Sequence, residues 1–157
     1  MAISAKSIVD IAMSQLGRKY KFGAEITDLS DMTQPVDCSE LVEAVYREAA
    51  RRWELGTGKT LRETCPDGAR YQWQWVKNHQ LERPIMECLH TPAAIVFLAN
   101  LRGVVCHVGL VARSMMIVEA VGGEIREVTL TRRQPTSAWA LKGFGGLMPG
   151  VDYANAK

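Results

Sequence analysis

The pattern of this chain changes at Pro92, and that change limits the fold more than any other feature. Before it, apolar residues recur at helical spacing. After it come "AAIVFLA", "VVCHVGLVA", "MMIVEAV", "EIREVTL" and "SAWALKGF", short β-rich runs separated by turn residues. Helices first and strands second predict an α+β fold, with N-terminal helices packed on a C-terminal antiparallel β-sheet. The spacing predicts a helix over 3–16, with Ile8, Ile11, Ala12 and Leu16 on one face and Gly17 as its stop. A second runs from Cys38 to about Trp53 on Leu41, Val42, Val45, Ala49 and Trp53, and a third covers 67–79 with Tyr71, Trp75 and Val76 inward. Residues 17–36 hold no period, and Gly23, Asp28, Ser30, Asp31 and Pro35 mark an irregular loop. A length of 157 residues suits one domain with one core, and no repeat, linker or second domain is visible.

The start of the second helix is specified several times over. In "PVDCSELVEAVY", Asp37 is a good N-cap and Glu40 stands three residues later, the spacing of a capping box. Val36 and Leu41 can form the matching hydrophobic staple. Cys38 therefore takes the first helical position, where unpaired N–H groups and the helix dipole favour an anion. A thiolate gains there. The charges of Asp37 and Glu40 oppose it, so an imidazolium partner is needed for a stable ion pair, which would give activity a bell-shaped pH profile around neutrality. The alternative is that Cys38 is a small residue that fits and Asp37 only caps.

Composition excludes several classes. The net charge is +2, and Arg47, Arg51 and Arg52 interleave with Glu43, Glu48 and Glu54, a solvated helix face rather than a nucleic-acid surface. No segment approaches the roughly 18 apolar residues of a membrane span. No export signature is visible, so synthesis in the cytoplasm is expected. Cys38, Cys65, Cys88 and Cys106 form no disulfide framework, and with His79, His90 and His107 they match no compact zinc pattern. "GTGK" at 56–59 lacks the spacing of a phosphate loop. No cofactor and no metal are expected.

Of the three histidines, His107 stands inside an apolar strand, sharing a face with Gly109 and Val111 on the alternating pattern. Glu119 interrupts the next apolar run. A loop with an odd number of residues near Arg113 and Ser114 would place His107 and Glu119 opposite each other on one face, where the carboxylate can orient the imidazole. The plain alternatives are a satisfied core histidine and an edge-strand glutamate facing solvent. Together, Cys38, His107 and Glu119 make a candidate set for nucleophilic catalysis, although spacing alone does not bring Cys38 to His107.

"DCSEL" before a helix, followed by "PAAIVF", "HVGLV" and "IVEA", resembles the NlpC/p-sixty cell-wall peptidases, papain-like cysteine endopeptidases of peptidoglycan stem peptides. The resemblance runs from "YKFGAE" to "PGVDY", nearly the whole chain. It implies a papain-like fold over 1–157 as one peptidase domain and a thioacyl-enzyme mechanism. Cys38 would be the nucleophile, His107 the general base and Glu119 the third polar residue. Tyr20 would stand near the sulfur, while Asp37 and Ser39 would line the substrate cleft, Asp37 helping to hold the free amine of the terminal L-Ala. The implied scissile bond joins γ-D-glutamate to the diamino acid. Glu40 replaces a usual glycine, "TPAA" replaces a common "PGD" turn, and a carboxylate in the third position is less usual. Glu25, Asp28 and Asp31 either face a cationic part of the substrate or form a solvated loop, and Trp53, Trp73, Trp75 and Trp139 are expected as core or groove wall. The lack of an export signal and of a wall-binding module resembles phage versions, which implies action on the cell wall, virion association and phage tail proteins as partners. The alternatives are a Cys/His amidase or acyltransferase, and a non-catalytic tail component keeping the fold.

Overall fold

The computed structural model describes residues 2–100, 102–129 and 142–154. In chain order these form β1 (Ile3–Ser4), α1 (Ala5–Met13), α2 (Cys38–Thr57), α3 (Ala69–Asn78), β2 (Glu82–Arg83), α4 (Ile85–Leu89), β3 (Ile95–Ala99), β4 (Val105–Arg113), β5 (Met116–Val121), β6 (Glu124–Thr129), β7 (Lys142–Gly146) and β8 (Val151–Asp152). Six strands make one antiparallel sheet in the order β2-β7-β3-β4-β5-β6. Strands β1 and β8 form a separate parallel pair through Ile3↔Val151 and Ser4↔Asp152. The α+β expectation holds, with α1, α2 and α3 packed on the sheet.

Alternate residues of the central strands feed two cores. Ile95, Phe97, Val108 and Leu110 join Ile8, Ile11, Leu41, Val42 and Val45 in the main one. Ala94, Val96, Val111 and Ile117 join Cys88 and Leu89 beneath α4 in the second. Burial on both faces explains why β3 and β4 read as nearly continuous apolar runs. Short α4 has too few turns to show a period, and the sequence pattern missed it. It sits directly on β7, where a Cβ on Gly145 would lie 2.6 Å from Cys88 Sγ. Of the "SAWALKGF" run, residues from Lys142 onward form β7, and Trp139 lies outside the described residues.

The helices keep their predicted places with shifted ends. Helix α1 begins only at Ala5, because Ser4 caps it by accepting from Ser7 N–H and Ile3 is committed to β8. Helix α2 runs one turn beyond Trp53 and stops at Gly58, whose left-handed φ of 68° closes the last turn onto Glu54 O.

The loop after α1 is organised by a residue the sequence did not single out. Arg18 is fully buried. Its Nε and Nη2 donate to Gln15 Oε1 at 2.9 and 2.6 Å. Its Nη1 donates to Asp31 O and Gln34 O, both at 2.7 Å, and Nη2 to Leu29 O at 2.6 Å. Burial pulls the guanidinium below its usual range, while the charges of Asp31 and Asp28 act to hold it up. Asp28 and Asp31 themselves close local turns onto Ser30 and Thr33, which holds both carboxyls below the usual range. The loop's carboxylates thus have structural work within it.

Removing the guanidinium would strand three carbonyls in a buried site. Arg18→Ala is expected to cost about 3 kcal/mol in urea unfolding, and Arg18→Lys to restore less than half, since an ammonium cannot span the same fork of acceptors. A loss below about 1 kcal/mol for Arg18→Ala would show that the loop closes without it.

Candidate active site

The site is assembled around the start of α2. Asp37 is in extended conformation as the N-cap, and its Oδ1 accepts from Glu40 N–H at 2.8 Å. Val36 and Leu41, the predicted staple, are both buried in the main core. The capping box is only half formed. The Glu40 side chain does not return to the cap but is buried, accepting from Ile26 N–H at 3.0 Å with Arg47 Nη2 at 3.8 Å. Burial, then the adjoining Glu43 carboxyl, push Glu40 up to about 8. Glu40 thus ties the preceding loop to α2.

Cys38 occupies the first helical position, as predicted. The backbone N–H groups of Cys38 and Ser39 at the helix start, and of Val108 on β4, act to lower its thiol. The influence of Val108 sets the start of α2 beside β4, the strand that carries His107. The β4–β5 ladder runs from Arg113↔Met116 to Leu110↔Val118 and does not take in Val108. Burial is the largest influence on Cys38 and Asp37 adds to it; against the three N–H groups they push the thiol up to about 11. Desolvation thus outweighs the helix start in its effect on the thiol.

His107 and Glu119 meet, but not by the predicted route. The β4–β5 turn has two residues, Ser114 and Met115, a length that by itself would put the pair on opposite faces. A bulge between Val111 and Arg113 supplies the extra residue and restores the face. The pairing is diagonal rather than directly opposite, and His107 Nε2 lies 2.8 Å from Glu119 Oε2. Both side chains are buried. Gly109 lies close against β5, where a Cβ would press on Ile117 Cδ1 at 3.3 Å and reach ordinary contact with Glu119 Cβ at 3.7 Å. With Nε2–H donating to the carboxylate, the basic nitrogen of the neutral ring is Nδ1.

Tyr20 stands close enough for the charges of Cys38 and Asp37 to raise its phenol, after burial, the larger cause. Ser39 is buried, its hydroxyl placed to donate to Asp37 Oδ1 at 3.2 Å or Asp67 Oδ1 at 3.4 Å. Asp37 Oδ2 also accepts from Gly23 N–H at 3.2 Å. The other histidines lie elsewhere: His79 bonds Glu63 at 2.8 Å, and His90 bonds Ser114 at 2.6 Å. Among the described residues, Glu40, Glu43 and Asp67 form the one group whose oxygens approach as metal ligands would, within 4.8 Å of one another. Glu40 is already met there by Ile26 and Arg47.

No protein-family model and no curated protein matches the sequence. Solved structures do match the fold. A lipoprotein-like protein of the NLP/P60 family from Staphylococcus aureus superposes with a TM-score of 0.60 at 22% identity, over 91% of this chain and 41% of that one. The peptidoglycan hydrolase RipB from Mycobacterium tuberculosis gives 0.61 at 18%, over 90% and 63%. RipD from M. tuberculosis, described as a non-catalytic NlpC/p60 domain protein adapted to peptidoglycan binding, gives 0.57 at 13%, over 90% and 95%. The chain thus spans less than two thirds of the first two proteins and nearly all of the third. The likeness shows that it has the papain-like α+β fold of NlpC/P60 domains. Among the described residues no helix is long and apolar enough to cross a membrane.

The buried thiols give a stability signature. Cys38 and Cys88 are each pushed up to about 11, and Cys65 well above 9.0, by burial first. Above pH 9 the unfolded chain gives up thiol protons that the folded chain keeps, so stability is full below about 9 and falls as pH rises toward 11. Urea midpoints at about pH 8 and about pH 10.5 should show wild type losing more stability than Cys38→Ser over that interval. Equal losses would mean that the Cys38 thiol is not perturbed.

Proposed function

We propose that this protein is a cysteine endopeptidase that cuts peptidoglycan stem peptides. The observation that carries the reading is the meeting of three elements at one point. The thiol of Cys38 at the start of α2 is influenced by the N–H of Val108, the residue after His107 on β4, and the imidazole of His107 meets Glu119 on β5 at 2.8 Å. The fold shared with RipB, named a peptidoglycan hydrolase, supports the substrate class. The motif resemblance supports the γ-D-glutamyl–diamino acid bond, a single peptidase domain over 1–157, and a phage or prophage setting with tail proteins as partners.

Burial raises the thiol and so favours its neutral form, and in this reading His107 acts as a general base. Nδ1 takes the thiol proton as Sγ attacks the scissile carbonyl carbon, and Glu119 stabilises the imidazolium that forms. The helix start, with the N–H groups of Cys38 and Ser39, favours the negative charge that develops. The imidazolium then gives its proton to the departing amine, leaving a thioester on Cys38. Water, deprotonated by the same imidazole, attacks that thioester. The acid product leaves, and the proton returns to the sulfur. Tyr20 and Asp37 form the wall beside the sulfur.

Two other readings have their own support. RipD keeps this fold as a non-catalytic peptidoglycan-binding protein, and the raised thiol fits a binding role for this chain as well. A Cys/His amidase or acyltransferase would use the same groups and is distinguished by its product.

Purified sacculi and stem peptides, incubated under reducing conditions, should release fragments cut within the stem. Cys38→Ala and His107→Ala are expected to fall to background, and Glu119→Gln to retain more activity, about a hundredfold below wild type. No release by wild type beyond the Cys38→Ala control would end the peptidase reading, and cleavage at the sugar–peptide amide would favour the amidase. For pH, kcat/KM should rise as the imidazole loses its proton and stay high past pH 9, because the thiol is held up to about 11. An alkaline fall centred below pH 9 would restore the standing ion pair.

A further inference from the structure

On the loop tied to the start of α2, the protein displays an aromatic ring that its own packing does not use. Phe22 is 86% exposed, more than Leu55 at 72% or Tyr71 at 59%. Exposed side chains are usually carried on loose backbone, but this one is not. Ala24 N–H donates to Lys21 O at 3.1 Å, closing a β-turn with Phe22 and Gly23 at its centre. Gly23 has φ 71°, at the position that a type II turn gives to glycine. On one side the turn is tied by Lys21 N–H to Val36 O at 3.1 Å and by Tyr20 N–H to Gly123 O at 2.8 Å. On the other, Gly23 N–H reaches Asp37 Oδ2. Two of the ties lead to Val36 and Asp37, just before Cys38, and the third to Gly123 between β5 and β6. The backbone that carries the ring is thus already ordered, so little of its entropy is left to lose when the ring meets a flat apolar surface.

A second observation concerns Asp37. A carboxylate has about four acceptor positions. Those of Asp37 receive Glu40 N–H at 2.8 Å and Gly23 N–H at 3.2 Å, and also the Ser39 hydroxyl, at 3.2 Å, when it does not turn to Asp67. The side chain expected to hold a free amino terminus is largely occupied in holding the helix and the turn. An ammonium group is therefore not what this part of the site is built to require.

We infer that Phe22 is a substrate-contacting residue that stacks on the pyranose ring of a glycan-linked stem peptide, so the site works on peptide still joined to its sugar. This rests on the reading that the substrate is a stem peptide. Within such a substrate the peptide offers small or linear side chains, whereas the sugar offers a broad face of C–H groups. That face and an aromatic ring bury one another by dispersion and by area removed from water. In the linked form the terminal amine is an amide, which needs no carboxylate partner.

Three substrates separate the possibilities: a stem peptide with a free amine, the same peptide N-acetylated, and the same peptide on its disaccharide. Wild type should prefer the disaccharide form to the acetylated peptide by about tenfold in kcat/KM, chiefly through KM, the size of one stacked ring. Phe22→Ala should erase that ratio, and Phe22→Trp should keep it. The inference is overturned if acetylation costs wild type tenfold or more, or if the ratio survives in Phe22→Ala. Binding of the same three compounds to Cys38→Ala and to Cys38→Ala/Phe22→Ala keeps the two readings apart. If wild type cleaves none of them, the peptidase reading fails, and the presence or loss of the disaccharide preference in binding still decides the role of Phe22.

Discussion

The carboxylate of Asp37 is the constraint on which the site depends. One oxygen fixes the first turn of α2 through Glu40 N–H, and the other holds the Tyr20–Ala24 turn through Gly23 N–H. The Ser39 hydroxyl lies between Asp37 and Asp67, so the segment leading into α3 is drawn to the same point. A cap of this kind contributes about 1 kcal/mol to a helix. Its effect on geometry is larger than that energy suggests, because it determines which residue takes the first helical position and hence where the sulfur meets β4.

How much of this was readable depended on whether the signal was local. The cap, the staple and the amphipathic face of α2 all lie between Val36 and Trp53, and the sequence showed all of them. The His107–Glu119 face was reached by an argument about parity that proved right through a different device. An odd loop was expected, and a two-residue turn with a bulge gave the same parity. The order of the sheet was not readable, since β7 inserts between β2 and β3 from far along the chain. Strands β1 and β8 are two residues each, too short to carry a period. Cys38 shows the remaining limit. The helix dipole can be read from sequence, but the burial that outweighs it depends on the surrounding tertiary structure.

That balance also bears on what the fold implies. The same architecture is found in a protein named as a hydrolase and in one described as non-catalytic, so the scaffold by itself does not specify chemistry. Here burial raises the Cys38 thiol, and His107 Nε2 meets the buried Glu119 carboxylate at 2.8 Å. In the proposed peptidase such a thiol would stay masked until a substrate carbonyl is present to receive it.

Arg18 has a consequence for variation. Apart from Gln15 and Met32, its partners in the loop are main-chain carbonyls, those of Leu29, Asp31 and Gln34. A carbonyl is the same whatever side chain follows it. The guanidinium's hold on the loop is therefore largely indifferent to the side chains around those carbonyls, while Asp28, Asp31 and Gln34 add side-chain ties of their own. Lineages that keep these groups are free to rewrite the loop's other outward positions, and protein engineers can randomise those positions as a display surface, without dismantling the scaffold beneath.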